Sequence, residues 1–402
     1  MSRTRREALA SGFRSAPGPL PNPEVTMSAA GSDNPMAALA APGVRKLRPY
    51  QPGKPIAELE RELGIRAAVK LASNENPLGA GREAREAIQG ALGDIARYPD
   101  GNGFHLKAAL ARHLEVDAAC LTLGNGSNDV LELVARAFAT PADEVIYSQH
   151  AFAVYPLVTQ AIGAAAVVTP ARSFGHDLEA MGAAVTERTR LVFIANPNNP
   201  TGTWVDATSL ERFLGGLPRT VLVVVDEAYF EYLEGDPLYP SCVPWVARFP
   251  NLVVTRTFSK VHGLAGLRVG YAVSSPEVAD LLNRVRQPFN VNSVALAAAE
   301  AAIADTEHVA RSVEVNHHGM RQLTETFDRM GLPYIPSAGN FVSVDVGRPA
   351  GPVYEALLAE GVIVRPVEAY GMPSHLRVSV GLERENRRFL SVLHKVLERG
   401  EP

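Results

Sequence analysis

One lysine has an unusual setting. Of the 39 basic residues in the 402-residue chain only six are lysines: Lys46, Lys54, Lys70, Lys107, Lys260 and Lys395. Lys260 lies in Arg256-Thr257-Phe258-Ser259-Lys260-Val261-His262-Gly263-Leu264-Ala265-Gly266-Leu267-Arg268-Val269-Gly270, a Gly-punctuated loop between apolar segments. An amine can lose its proton and condense with an aldehyde to a Schiff base, which a guanidinium cannot do. Eight residues on, Arg268 offers a planar fork suited to two oxygens of a phosphate.

Three further stretches carry polar groups just after apolar runs. Leu191–Ile194 leads into Ala195-Asn196-Pro197-Asn198-Asn199-Pro200-Thr201-Gly202, a rigid turn with more asparagines than turning requires. Val221–Val225 leads into Asp226-Glu227-Ala228-Tyr229, and an acid ending an all-apolar run is costly unless it meets a cation or a donor. A capping or turn role would account for Asp226 equally well. Leu121-Thr122-Leu123 leads into Gly124-Asn125-Gly126-Ser127-Asn128-Asp129 and an apolar-periodic helix, a ready anion site at a helix N-terminus. This turn also partly mimics a dinucleotide fingerprint, with Glu144 as the one acid at a plausible distance for a ribose. A nicotinamide-dependent dehydrogenase is therefore the alternative from another class. It leaves Lys260, Asn199 and Asp226 unexplained.

Together these residues describe one ligand. A phosphate would be held by the Ser127 and Asn128 amides, Ser259 and Arg268. A ring nitrogen would meet Asp226, a phenolic oxygen would meet Asn199 and Tyr229, and an aldehyde would meet Lys260. That ligand is pyridoxal 5′-phosphate.

The elements that must position these groups are legible as alternation. Continuous apolar runs at Val145–Tyr147, Ala165–Val168, Leu191–Ile194, Val221–Val225 and Leu252–Val254 read as strands buried on both faces. Helical stretches at Asn128–Ala139 and Ala207–Gly215 separate them, which implies an α/β fold with a helix-covered parallel sheet and reactive groups at its carboxyl edge. After Pro276 come long helical patterns, Glu277–Arg286, Ser293–Ala304 and Glu307–Met330. The last is a candidate connector to a smaller C-terminal α+β domain.

Composition bounds the rest. Hydrophobic residues make up 46% and charged residues 20%, and the net charge of −4 gives no reason to expect a nucleic-acid partner. Two distant cysteines, Cys120 and Cys242, make neither a disulfide framework nor a metal site, which fits a reducing, cytoplasmic home. No apolar run reaches membrane-spanning length. Residues 1–43 are rich in Pro, Gly, Ala and Ser and read as a disordered extension, or as untranslated sequence before a start at Met27 or Met36. Arg3, Arg5 and Arg6 lack the apolar stretch that a secretory signal would add.

From about Tyr50 to Leu397 the chain resembles the fold-type I, class I/II aminotransferases. Asn-Pro-Thr-Gly, here led by Asn199, then Asp226-x-x-Tyr229 and Ser259-Lys260…Arg268-x-Gly270 occur in that family's order and spacing. The resemblance implies a large domain with a mostly parallel seven-stranded sheet, like that of aspartate aminotransferase, plus a smaller C-terminal α+β domain. The expected division is an extension (1–43), an arm joining the small domain (44–75), a large cofactor-binding domain (76–305) and the small domain (306–402).

Within that family the chain is similar to the histidinol-phosphate aminotransferase subgroup. The similarity lies in Arg48-Pro49-Tyr50-Gln51-Pro52-Gly53-Lys54-Pro55, Lys70-Leu71-Ala72-Ser73-Asn74-Glu75-Asn76-Pro77, Arg97-Tyr98-Pro99-Asp100, Gly126-Ser127-Asn128 and Leu376-Arg377-Val378-Ser379-Val380-Gly381. It implies ping-pong transamination of histidinol phosphate with 2-oxoglutarate in histidine biosynthesis. Lys260, Asp226 and Tyr229 would be catalytic. Tyr98 would reach the cofactor phosphate of the neighbouring subunit of a homodimer, and Phe152 would stack on the pyridine ring. Tyr50, Asn199, Arg365 and Arg377 would line the substrate site, with Arg377 on the anionic end. No metal is implied. Aromatic amino-acid aminotransferases and phosphothreonine decarboxylases share these cofactor residues. His262 stands where an aromatic or small residue is more usual and reads as a space filler.

Overall fold

The computed structural model describes residues 34–50 and 52–399. The chain divides into two compact units, 1–39 and 40–402. Of the first, only residues 34–39 are described, with a 3-10 turn at Pro35–Leu39. Most of the expected extension, and Gln51, lie outside the described residues.

The second unit is built around a seven-stranded sheet. Its strands are β1 (Leu121–Gly124), β2 (Glu144–Ser148), β3 (Ala165–Thr169), β4 (Thr189–Ala195), β5 (Leu222–Asp226), β6 (Leu252–Thr257) and β7 (Gly270–Ser274). They lie in the order β1-β7-β6-β5-β4-β2-β3. β2 to β6 are mutually parallel, whereas β7 runs antiparallel to both β6 and β1. Along β5, Leu222 and Val224 pack into one apolar layer and Val223 and Val225 into the opposite one. Alternation of side chains between two covered faces is what makes the run continuously apolar.

Two details depart from the sequence reading. β7 is not among the expected strands. Its link from β6, residues 258–269, holds only a 3-10 turn (Ala265–Leu267) and cannot supply the helical crossover of a parallel strand. β3 is not buried on both faces: it is the sheet's last strand, and Val168 is 53% exposed. The expected helices occur at Ser127–Phe138 (α1), Ala207–Gly216, Pro276–Val285, Ser293–Ala304 and Thr306–Met330 (α2).

α2 leads into a four-stranded antiparallel sheet of β8 (Tyr334–Ile335), β9 (Phe341–Asp345), β10 (Arg365–Pro366) and β11 (His375–Ser379), ordered β8-β9-β11-β10. The chain's own N-terminal segment joins this region. Val69–Lys70 pairs in parallel with Val362–Ile363, and the carbonyl of Leu71 accepts from the Ser379 amide at 2.8 Å. Residues 71–77 are thereby led between the two sheets. Among the described residues no helix is long and apolar enough to cross a membrane.

Candidate active site

A cavity of about 220 Å³ opens at the carboxyl ends of β1, β4, β5 and β6. It gathers Tyr50, Ser127, Asn128, Phe152, Asn199, Asp226, Tyr229, Ser259, Lys260, Arg268 and Arg377. Residues as distant in sequence as Ser127, Asn199, Asp226 and Lys260 meet there because parallel strands present all their exits on one edge.

One corner is shaped for an anion. α1 begins at Ser127, so its first amides point outward without helical partners. Gly126, at φ +83°, precedes it, and a Cβ there would lie 2.3 Å from Arg268 Nη2. A Cβ on Gly270 would lie 2.5 Å from the Ser127 amide nitrogen. A side chain at Gly270 would run into backbone, and one at Gly126 would be strained by the positive φ and would push the Arg268 guanidinium out of the corner. Arg268 donates through Nη1 to Ser259 Oγ at 3.3 Å and to the Ala265 carbonyl at 3.1 Å.

On the cavity floor the Asp226 carboxylate accepts from the Tyr155 hydroxyl and from Thr255 Oγ1, each at 3.0 Å. Burial pushes it up to about 6, with those two donors pulling the other way. It is thus still mostly ionised at neutral pH, and among the described residues its side-chain donors are neutral. A charged group so placed fits a protonated ring nitrogen. Tyr155 is held by stacking on Phe193, ring centroids 4.7 Å apart, and meets Phe152 edge-on at 5.9 Å.

Lys260 Nζ donates to the Ser73 carbonyl at 3.4 Å. Burial, then Arg377 and Arg268, push the ammonium down to about 8, while Glu75 and Asp226 oppose this. About a tenth of the amine is therefore free at pH 7, far more than for an ordinary lysine.

The opposite wall comes from the small sheet. Arg377 on β11 donates to Asn199 Oδ1 at 2.6 Å and to the Ala72 carbonyl at 2.5 Å, while its buried Nε has no partner among the described residues. The bond to Arg377 fixes the Asn199 amide so that its NH₂ is left as the donor. The Tyr229 hydroxyl accepts from Asn74 Nδ2 at 2.9 Å. Burial pushes the phenol up to about 12, against the pull of Arg377 and Asn74.

Two expected residues are not among those lining the cavity. Tyr98 is 83% exposed and stacks on Phe289, ring centroids 4.8 Å apart. Arg365 sits with its guanidinium 5.3 Å from the ring centroid of Tyr50, which is itself 48% exposed. His262 also lies off the cavity, packed on Phe258 at 5.0 Å and pushed down to about 4 by burial. Glu144 starts β2, at the end of the strand away from the cavity, and is held by Thr186 and Arg188. It cannot serve as the ribose acid of a dinucleotide site.

Sequence reasoning missed Tyr155, Thr255 and Asn74. Thr255 had a signal: it is the one polar residue in Leu252-Val253-Val254-Thr255, and register pairs it with Asp226. Tyr155 follows a loop whose path the sequence does not reveal.

The donor set fits pyridoxal 5′-phosphate. A phosphate-sized corner closed to side chains, a buried carboxylate held by neutral donors, an asparagine amide, a phenol and a depressed lysine surround one cavity. The profile of the aminotransferase class I and II family matches residues 66–393. Histidinol-phosphate aminotransferase 2 of Pseudomonas aeruginosa is 63% identical over 362 residues, covering 90% of this chain and 98% of that one. Histidinol-phosphate aminotransferase 1 of Nitrosococcus oceani is 61% identical over 360 residues, covering 90% and 97%. The crystal structure of histidinol-phosphate aminotransferase from Sinorhizobium meliloti, in complex with pyridoxal-5′-phosphate, superposes with a TM-score of 0.83 at 30% identity, covering 93% of this chain and all of that one. With this match the chain belongs to the class I and II aminotransferases and uses pyridoxal 5′-phosphate.

Proposed function

We propose that the enzyme transfers the amino group of L-histidinol phosphate to 2-oxoglutarate, giving imidazole-acetol phosphate and glutamate in histidine biosynthesis. The observation that carries this is the 63% identity to histidinol-phosphate aminotransferase 2 of Pseudomonas aeruginosa across 98% of that protein's length. When bound, pyridoxal phosphate supplies an aldehyde for the substrate amine and an electron sink for the carbanion.

The chain's residues divide the remaining work. The Ser127 and Asn128 amides, Ser259 and Arg268 hold the cofactor phosphate, and Phe152 covers a face of its ring. Asp226 keeps a proton on the ring nitrogen, and Asn199 and Tyr229 donate to the phenolic oxygen. Lys260, its ammonium pushed down to about 8, carries the proton from the substrate α-carbon. Arg377 receives the anionic end of the substrate, its unpartnered Nε supporting that role, with Arg365 and Tyr50 beside it. The same reading makes the enzyme a cytoplasmic homodimer in which Tyr98 reaches the partner's cofactor. The exposed apolar side chains Leu92, Ile95, Tyr98, Phe104 and Phe289 support such an interface. It also divides the chain into an arm (44–75), a large domain (76–305) and a small domain (306–402).

The test compares kcat/KM for histidinol phosphate and phenylalanine with 2-oxoglutarate as acceptor. Histidinol phosphate is expected to lead by roughly 10²-fold or more, because phenylalanine offers a single carboxylate in place of the dianionic phosphate and an apolar ring in place of the imidazole, leaving polar groups of the site unpaired. Phenylalanine in the lead would make the enzyme an aromatic aminotransferase. Release of CO₂ from phosphothreonine without need of an acceptor would make it a decarboxylase.

A further inference from the structure

Asn74 is 1% exposed and sits in the left-handed region at φ +54°, where asparagine, aspartate and glycine are the residues tolerated best. Its backbone amide donates to Ser379 Oγ at 2.8 Å. The Ser379 hydroxyl then donates to Asn74 Oδ1 at 2.9 Å. Asn340 Nδ2 donates to the Asn74 carbonyl at 3.0 Å. Asn74 Nδ2 points to the Tyr229 hydroxyl at 2.9 Å.

These bonds have a direction. Ser379 Oγ already accepts from the Asn74 amide, so its single hydrogen goes to the side-chain oxygen and fixes which end of the Asn74 amide faces Tyr229. That end carries only donors. The Tyr229 oxygen must therefore accept from Asn74, and its own hydrogen must go elsewhere. Asn74 is the one side chain hydrogen-bonded to that hydroxyl among the described residues, and the other side of the phenol faces the cavity with Lys260 Nζ 5.5 Å from its ring centroid.

We propose that Asn74 is a positioning residue, which with Ser379 orients the Tyr229 hydroxyl so that its hydrogen is delivered to the phenolic oxygen of the cofactor. This rests on the reading that Tyr229 meets that oxygen. The chain of donors starts on β11, two residues from Arg377, so the small sheet reaches the cofactor through the N-terminal segment. Both ends of the relay are more than 150 residues from Asn74 in sequence.

Asn74→Asp keeps the size and the left-handed backbone but replaces the donor by an acceptor. The Tyr229 hydrogen would then turn to the introduced carboxylate and away from the cofactor. The readout is the pH at which the visible absorbance band of the pyridoxal-phosphate-loaded enzyme changes, since a donor at the phenolic oxygen stabilises the deprotonated form and lowers that pH. Asn74→Asp should raise the transition by about one to two pH units, the equivalent of one hydrogen bond to a charged group. Ser379→Ala, which leaves the Asn74 amide free to flip, should raise it by less. Tyr229→Phe should raise it in its own right. If Tyr229→Phe shifts the transition while Asn74→Asp and Ser379→Ala leave it at the wild-type pH, the relay is refuted. If Tyr229→Phe shifts nothing, the placement of Tyr229 against the cofactor is wrong and the relay falls with it. Should Asn74→Asp fail to fold, Ser379→Ala decides by the same criterion.

Discussion

Asp226 and Glu227 are consecutive, buried and acidic, yet they belong to opposite kinds of environment. Glu227 faces the packed layer behind the cavity. Its Oε2 accepts from Arg256 Nε and Nη2 at 2.9 and 2.7 Å, and its Oε1 from the Cys242 amide at 2.8 Å. Arg256 also donates to Ser241 and lies 3.6 Å from the centroid of the Phe230 ring. Asp226 faces the cavity, where its side-chain donors are the neutral Tyr155 and Thr255. Strand alternation sends the two side chains to different sides of β5's exit, and chemistry follows. A buried charge with its partner built in holds the protein together, whereas one without its partner awaits a ligand.

Three substitutions test this contrast, taken from the largest expected effect downward. Lys260→Ala should lower turnover by at least about 10³-fold, as expected when a covalent and proton-carrying group is lost. It should not lower the melting temperature of the protein freed of pyridoxal phosphate, because a depressed ammonium is a cost to the fold. A large loss of stability would place Lys260 with the packed layer. Glu227→Ala should do the reverse: leaving Arg256 buried and unpaired costs about 3–5 kcal/mol, read by thermal or urea unfolding. An unchanged melting temperature would break the comparison.

The smallest effect is on Asp226. Its carboxyl is raised to about 6 in the folded protein, so its contribution to stability is present at low pH and is lost as pH rises through about 6. Above that range the ionised group is a burden. Asp226→Asn should therefore stabilise the cofactor-free protein at pH 7 by about 1–3 kcal/mol relative to wild type. The gain should shrink toward zero below about pH 4. A destabilised variant at pH 7 would show that the carboxylate is satisfied by the protein alone.

The cofactor half of the site was legible because it is local. Lys260, Asp226, Asn199 and Ser127 each follow an apolar run by a few residues, and a parallel sheet brings all such exits to one edge. What escaped notice depends on contacts between distant segments. Asn74 lies 305 residues from Ser379 and 155 from Tyr229. Nothing in the spacing of Lys70–Pro77 says that this segment passes between the sheets. Tyr155 reaches Asp226 across 71 residues, and its role depends on the stack with Phe193. The reversal of β7 was hidden for a different reason. Direction follows from the link preceding a strand, and Gly270-Tyr271-Ala272-Val273-Ser274 itself carries no trace of it.

The two glycines around the anion corner set the terms on which this enzyme can change. Gly270 leaves no room for a methyl group beside the Ser127 amide, and Gly126 takes one only if the Arg268 guanidinium moves. A duplicated copy could lose Lys260 and remain folded, whereas a side chain at either glycine would disturb the Arg268 guanidinium or the Ser127 amide that would hold the phosphate. Copies that have given up catalysis but still bind the cofactor should therefore keep both glycines. Copies that have lost them should bind pyridoxal phosphate more weakly.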